Sequence, residues 1–237
     1  MKPVALSVLL LATMVFAPQH HFQTSPASFR DTFQNLDNWY VSNWGPTEGS
    51  GNGNTSYFDP SQVQITPQGL ALSLTQTLNP DGSITSLGGE VQSTQLFGYG
   101  TYTWTMQAAS PAVSGQVSAG FSFVNNSQTE IDFEIQGQDS NTVWMTSWAG
   151  LSQTDSSGYT LLYPEQAFHT YQFVWSASSI EFYIDGVLAG TETAVVPSAP
   201  AYVMMNLWGT NSADWGGSAT TGSTRVMYVS KFQYVGQ

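Results

Sequence analysis

Apolar and polar residues alternate with period two along most of this chain, the repeat of a strand that buries one face. Residues 70–76 read Leu-Ala-Leu-Ser-Leu-Thr-Gln and run into Asn79-Pro80-Asp81-Gly82, a turn signal. Residues 97–106 carry a glycine-punctuated turn into another strand, and residues 117–124 alternate so that Phe121 and Phe123 share a side. Trp144 and Trp148 face one way across residues 143–148, as do Asn206 and Trp208 across 204–208. Residues 168–175 and 180–187 give two further strands, and Asp185-Gly186 is a pair favoured in type I′ hairpin turns. Residues 226–234 form a closing strand. Between these segments lie an irregular opening with one strand (29–39), a Gly- and Asn-rich loop (43–54) and a Gly/Ser/Thr loop (211–222). No repeat or linker divides them, so residues 28–237 are expected to form one domain.

The sharpest alternation is Thr129-Glu130-Ile131-Asp132-Phe133-Glu134-Ile135, with Glu130, Asp132 and Glu134 on one face and Ile131, Phe133 and Ile135 on the other. The three carboxylates stand at Cα spacings of roughly 6.7 Å. Such a strand is ordinarily a solvated outer face, but like charges side by side on a sheet destabilise it. A structural row would be answered by Lys or Arg, and the whole chain holds only Lys2, Arg30, Arg225 and Lys231. Retaining glycoside cleavage is the chemistry that wants crowded carboxyls: two of them about 5–5.5 Å apart act as nucleophile and general acid/base. Glu130 and Glu134 start roughly 13 Å apart at Cα on a straight strand, and on a concave face their long side chains can lean together. Asp132 between them can hydrogen-bond a neighbour and push the carboxyl pKa values apart.

Composition narrows the class. A chain of 237 residues can bury a sizeable core. Charged residues are only 8%, against roughly 25% in an average domain, so Ser, Thr, Asn, Gln and Gly cover the surface, as in secreted β proteins. The net charge of −12 argues against nucleic acid or an anionic membrane as partner. With few cations to lose from ion pairs, the fold is expected to persist at pH ~3. Lys2, the apolar run 4–16 and Ala17 read as a secretory signal. Residues 1–27 are therefore a signal peptide and short N-terminal segment, cleaved after Ala17 or nearer Ala27, with a run too short for a membrane anchor. The absence of Cys rules out a disulfide framework.

Glu130-Ile131-Asp132-Phe133-Glu134 resembles the signature of glycoside hydrolase family 16 and, more narrowly, that of the bacterial lichenases (endo-β-1,3-1,4-glucanases). Its spacing is the unbulged form shared with xyloglucan endotransglycosylases. Met204-Met205-Asn206-Leu207-Trp208 is similar to a lichenase signature nearly letter for letter. The resemblance covers roughly residues 90–234 well and 43–74 loosely. It implies that Glu130 is the nucleophile, Asp132 its assistant and Glu134 the acid/base. It also implies substrate contacts at Asn54, Glu90, Trp148, Asn206, Trp208 and Trp215. Two substrate-facing positions depart from the pattern: Gln92 replaces an Arg, which removes a donor fork, and Gln128 replaces an aromatic. The Asp with which lichenases hold a structural Ca²⁺ on the convex face falls on Ser230, so that site is expected to be absent or weakened. No metal or cofactor is required for the reaction the resemblance implies.

The expected fold is all-β, a two-sheet antiparallel jelly-roll sandwich of the concanavalin-like kind, with a substrate cleft on its concave face. The expected function is a secreted, monomeric endo-β-glucanase that hydrolyses β-1,3-1,4- or β-1,3-glucan with retention. Two rivals stay open: a transglycosylase of the same fold acting on β-glucan or xyloglucan, and a non-catalytic lectin-like domain. Three crowded carboxylates give a lectin no advantage.

Overall fold

The structure, a computed structural model, describes residues 25–47, 54–125, 127–154 and 156–237. The secretory signal expected in residues 1–27 lies almost wholly outside them. The strands are β1 (Ser28–Asp31), β2 (Trp39–Val41), β3 (Trp44–Thr47), β4 (Asn54–Phe58), β5 (Val63–Thr66) and β6 (Gly69–Leu78). They continue as β7 (Ile84–Phe97), β8 (Gly100–Ser110), β9 (Gln116–Val124), β10 (Thr129–Gln136), β11 (Thr142–Ala149) and β12 (Ser152–Gln153). The chain closes through β13 (Ser157–Thr160), β14 (His169–Trp175), β15 (Ile180–Ile184), β16 (Val187–Glu192), β17 (Ala201–Gly209) and β18 (Thr224–Gly236).

Two antiparallel faces result. One runs β2-β7-β17-β9-β10-β11-β13, and the other runs β16-β15-β14-β8-β18-β6-β5, with β1 alongside the end of β18. Strand β7 belongs to both. Its first part pairs with β6 and β4, and its later part, from Gly89 on, with β17 and β2. The crossing falls at Gly88-Gly89, where a Cβ would sit 2.3 Å from the Leu207 carbonyl oxygen and 2.6 Å from that of Gln62. Only glycine allows so close a backbone approach. The β4–β7 pairing is parallel, an exception to the antiparallel pattern.

Residues 43–54, expected to be a loop, instead open with β3 and end at the first residue of β4. Gly45 and Pro46 are poor strand formers, and among the described residues β3 pairs with β4 alone. Asp185 and Gly186 have φ of 49° and 77°, as the type I′ turn between β15 and β16 requires.

The core between the faces is an aromatic lattice. Phe133 packs edge-on against Phe182 at 5.5 Å and against Tyr171 at 5.7 Å, with Trp104 at 6.3 Å. Ile131 and Ile135 are buried beside it. These three residues fix β10: a one-residue slip would drive Glu130, Asp132 and Glu134 into that lattice. The apolar half of the alternating pattern thus sets where the acidic half points.

Candidate active site

Strand β10 lies in the middle of its face, between β9 and β11. Glu130 pairs across to Phe123 and Trp148, Asp132 to Phe121 and Thr146, and Glu134 to Ala119 and Trp144. In β17, Tyr202, Met204, Asn206 and Trp208 stand opposite Phe123, Phe121, Ala119 and Val117. Farther out, Glu90 and Gln92 of β7 pair with Asn206 and Met204, and Tyr40 of β2 pairs with Gln92. Because strand partners share a side of the sheet, these residues form one surface.

The three β10 acids have no cationic partner among the described residues. Among the described residues the one ion pair is His169 Nδ1 to Asp185 Oδ2, at 2.7 Å, on the β14–β15 hairpin of the opposite sheet. Desolvation raises all three pKa values. Glu130 rises to about 7, opposed by a hydrogen bond from the Ser127 hydroxyl to Oε2. Glu134 rises to about 8, through burial and the negative charge of Glu130, while the Trp215 indole favours its charged form. Asp132 is driven well above the usual carboxylate range by burial and by repulsion from both neighbours. Glu130 and Glu134 thus each have a donor that favours the charged form, whereas Asp132 faces the repulsion of both.

Glu90 is wholly buried, and its two oxygens are taken by protein donors. Ser42 Oγ (2.7 Å) and Trp44 Nε1 (3.2 Å) donate to Oε1, and Asn206 Nδ2 (3.0 Å) donates to Oε2. Burial raises its pKa to about 7 against those three bonds. Glu90, expected as a sugar contact, is thus engaged by protein donors, one of them its register partner Asn206. Asn206 Oδ1, in turn, is buried with no partner among the described residues.

The tryptophans separate into two kinds. Trp208, 8% exposed, and Trp215, 6% exposed, are packed with Phe58 and Val117, and Trp44 and Trp144 lie against that cluster. Trp215 meets Trp144 at 5.8 Å between ring centroids. Little indole face is left for stacking at Trp208. Trp148 remains half-buried next to Glu130, with ring surface to offer. The loop carrying Trp215 is tied down by neutral groups: Gln136 Oε1 accepts from Gly216 N at 2.7 Å, and Gln76 Oε1 from Thr220 N at 3.0 Å. Arg225, fully buried, donates to Gln116, Gln76 and the carbonyls of Thr220 and Ser223, and desolvation lowers its pKa to about 10.

Gln92 is partly exposed in register with Asp132, on the side of the β10 acids, and Gln128 lies exposed in the β9–β10 turn. Asn54 begins β4 opposite Ile84, and its side chain lies outside the described residues. Ser230 Oγ donates to the Thr105 carbonyl at 3.3 Å. Three supporting residues escaped the sequence reading: Ser127, Ser42 and Trp44. The last two sit in or beside a segment read as a loop, and Ser127 has no motif to mark it.

Comparison with known proteins agrees with this geometry. A beta-glucanase of Paenibacillus macerans is 38% identical over 138 residues, which span 54% of this chain and 56% of that protein. The chain thus spans little more than half the length of that relative. A beta-glucanase of Bacillus licheniformis is 32% identical over 219 residues, 89% of this chain and 86% of the relative. The solved Bacillus licheniformis beta-glucanase superposes with a TM-score of 0.80 at 27% identity, covering 90% of this chain and all of that one. The profile of glycosyl hydrolases family 16 matches residues 51–229, and the chain belongs to that family.

Proposed function

We propose that this protein is a secreted endo-β-glucanase that cleaves β-1,3-1,4- or β-1,3-glucan with retention of configuration. The observation that carries the reading is the row Glu130, Asp132, Glu134 on the cleft side of a central strand, desolvated and unanswered by any cation among the described residues. Its relatives' beta-glucanase names give the substrate class. The leader-like residues 1–17 support export. No helix among the described residues is long and apolar enough to cross a membrane.

The steps follow from the positions. Glu134 enters protonated, because burial and Glu130 hold its pKa up, and gives its proton to the glycosidic oxygen as that C–O bond breaks. A Glu130 oxygen bonds to the anomeric carbon from the opposite face, forming a glycosyl ester. Water then attacks the same carbon, giving its proton to the Glu134 carboxylate while the ester C–O bond breaks and Glu130 leaves as carboxylate. Burial and both neighbours favour the protonated form of Asp132, from which it can donate a hydrogen bond to either neighbour as its charge grows. Two inversions leave the β configuration in place.

A panel of barley β-glucan, laminarin and xyloglucan tests the reading, with reducing-end release and product size as readouts. Internal cleavage of a β-glucan is expected. Chain exchange between xyloglucan or β-glucan acceptors without net reducing ends would mark a transglycosylase, and gel retardation without bond cleavage would mark a binding domain.

A further inference from the structure

The turn that delivers β10 is unusual in its backbone and in what it holds. Ser127 has φ of 59°, a left-handed conformation that serine adopts rarely, and it is only 4% exposed. Its carbonyl accepts from Gly150 N at 2.7 Å, which ties the β9–β10 turn to the turn after β11. Its hydroxyl donates to Glu130 Oε2. The two anchors brace one cross-strand pair, since Glu130 and Trp148 are register partners on β10 and β11. Backbone strain of this kind persists only where the surrounding structure over-determines it, and it gathers at functional sites. A glycine would fit the φ without penalty but would bring no hydroxyl.

We propose that Ser127 is a positioning residue for the nucleophile: its hydroxyl holds Glu130 Oε2 and stabilises the carboxylate charge, which leaves Oε1 to meet the anomeric carbon. The proposal rests on the reading of Glu130 as nucleophile. Glu130 stands in a desolvated row with two other acids, where ionisation is opposed and a donor is needed to keep it charged at working pH. Among the described residues, the titratable groups facing it are Asp132 and Glu134 on its own strand. Strand β9 brings Phe121 and Phe123, and β11 brings Thr146 and Trp148, none of which can supply a charge. Ser127 is therefore the donor that the site directs at this carboxylate.

The tests are the pH profile of kcat/KM on β-glucan for Ser127→Gly and Ser127→Thr, with thermal unfolding measured alongside. Ser127→Gly removes the hydroxyl and relieves the backbone, so it should fold at least as well as the wild type. Its acidic limb, set by nucleophile ionisation, should move up by about one to two pH units, the worth of a hydrogen bond to a charged group. Below that limb kcat/KM should fall about tenfold or more for each unit moved. Ser127→Thr keeps the hydroxyl and should hold the limb at its wild-type pH, even with a lowered Tm from a β-branched residue at positive φ. An unshifted limb in Ser127→Gly, or a loss of activity equal at every pH that follows the Tm, would overturn the assignment. Glu130→Gln run in parallel separates the two levels. An active Glu130→Gln would sink the nucleophile itself, whereas an inactive Glu130→Gln with an unshifted Ser127→Gly would sink only the role of Ser127.

Discussion

Glu90→Gln should make this protein more stable, and only above mildly acidic pH. Glu90 is fully buried, and its pKa is raised from 4.5 to about 7. Below about pH 4.5 both the folded and unfolded states carry the proton, and the group is neutral in the balance. Between pH 4.5 and 7 the unfolded chain ionises Glu90 while the fold does not, so stability falls as pH rises through that window. At 1.36 kcal/mol per pH unit, the loss at pH 8 is about 3 kcal/mol. Glutamine has the same shape and no charge. Its oxygen can accept from Ser42 and Trp44 as Oε1 does now, and its amide N–H needs an acceptor where Asn206 Nδ2 now donates. Turning the Asn206 amide over supplies one, because Oδ1 has no partner to lose among the described residues. Denaturant unfolding of both proteins at pH 4.5 and pH 8 is the assay. Near-equal stability at pH 4.5 and a gain of about 3 kcal/mol for Glu90→Gln at pH 8 are expected, or roughly 6–12 °C in Tm for a domain of this size. A difference between the proteins that does not change with pH would refute the reasoning.

Three further outcomes follow from the geometry. Glu134→Ala should lose β-glucan hydrolysis yet cleave aryl glycosides with good leaving groups, which need no proton, and azide should restore turnover as a β-glycosyl azide seen by NMR; an α-azide or no product would count against the acid/base role. Tyr40, 54% exposed at the outer edge of the surface, lies four strands or ~19 Å from Asp132. Tyr40→Ala should lower kcat/KM on polymer about tenfold, the worth of one lost ring stack, and leave short aryl glycosides unaffected. Trp208→Ala should act on the fold, lowering stability by about 3–5 kcal/mol as buried aromatic truncations do, and a Tm equal to wild type would place that ring in the cleft after all.

Much of this was legible in the chain because β structure writes its faces in period two. The alternation at residues 129–135 gave the strand, its buried side and its acid side together, and β10 has those faces. Trp144 and Trp148 shared a side as their spacing required. What could not be read is what a second strand contributes. Glu90 alternates like a cleft residue, but Trp44 and Ser42 arrive from a segment whose Gly45-Pro46 hides a strand, and they cover it. Trp208 also has the right parity, yet Phe58 and Trp215 close over it from elsewhere in the chain. Ser127 depends on a single positive φ, which no hydrophobic pattern records. The scarcity of Lys and Arg was visible from the start, and its physical counterpart is a set of buried carboxyls with raised pKa values and an Arg225 satisfied by amide and carbonyl oxygens.

The central claim is that Glu130 forms the covalent bond to sugar. Incubation with a 2-deoxy-2-fluoro β-glucosyl oligosaccharide bearing a good leaving group slows hydrolysis of that ester enough for it to accumulate. Intact mass, then peptic digestion and tandem mass spectrometry, locates it. One added fluoroglycosyl unit, borne by Glu130, is expected. An adduct on Asp132 or Glu134, or no adduct while the unmodified glucan is still cleaved, would contradict it.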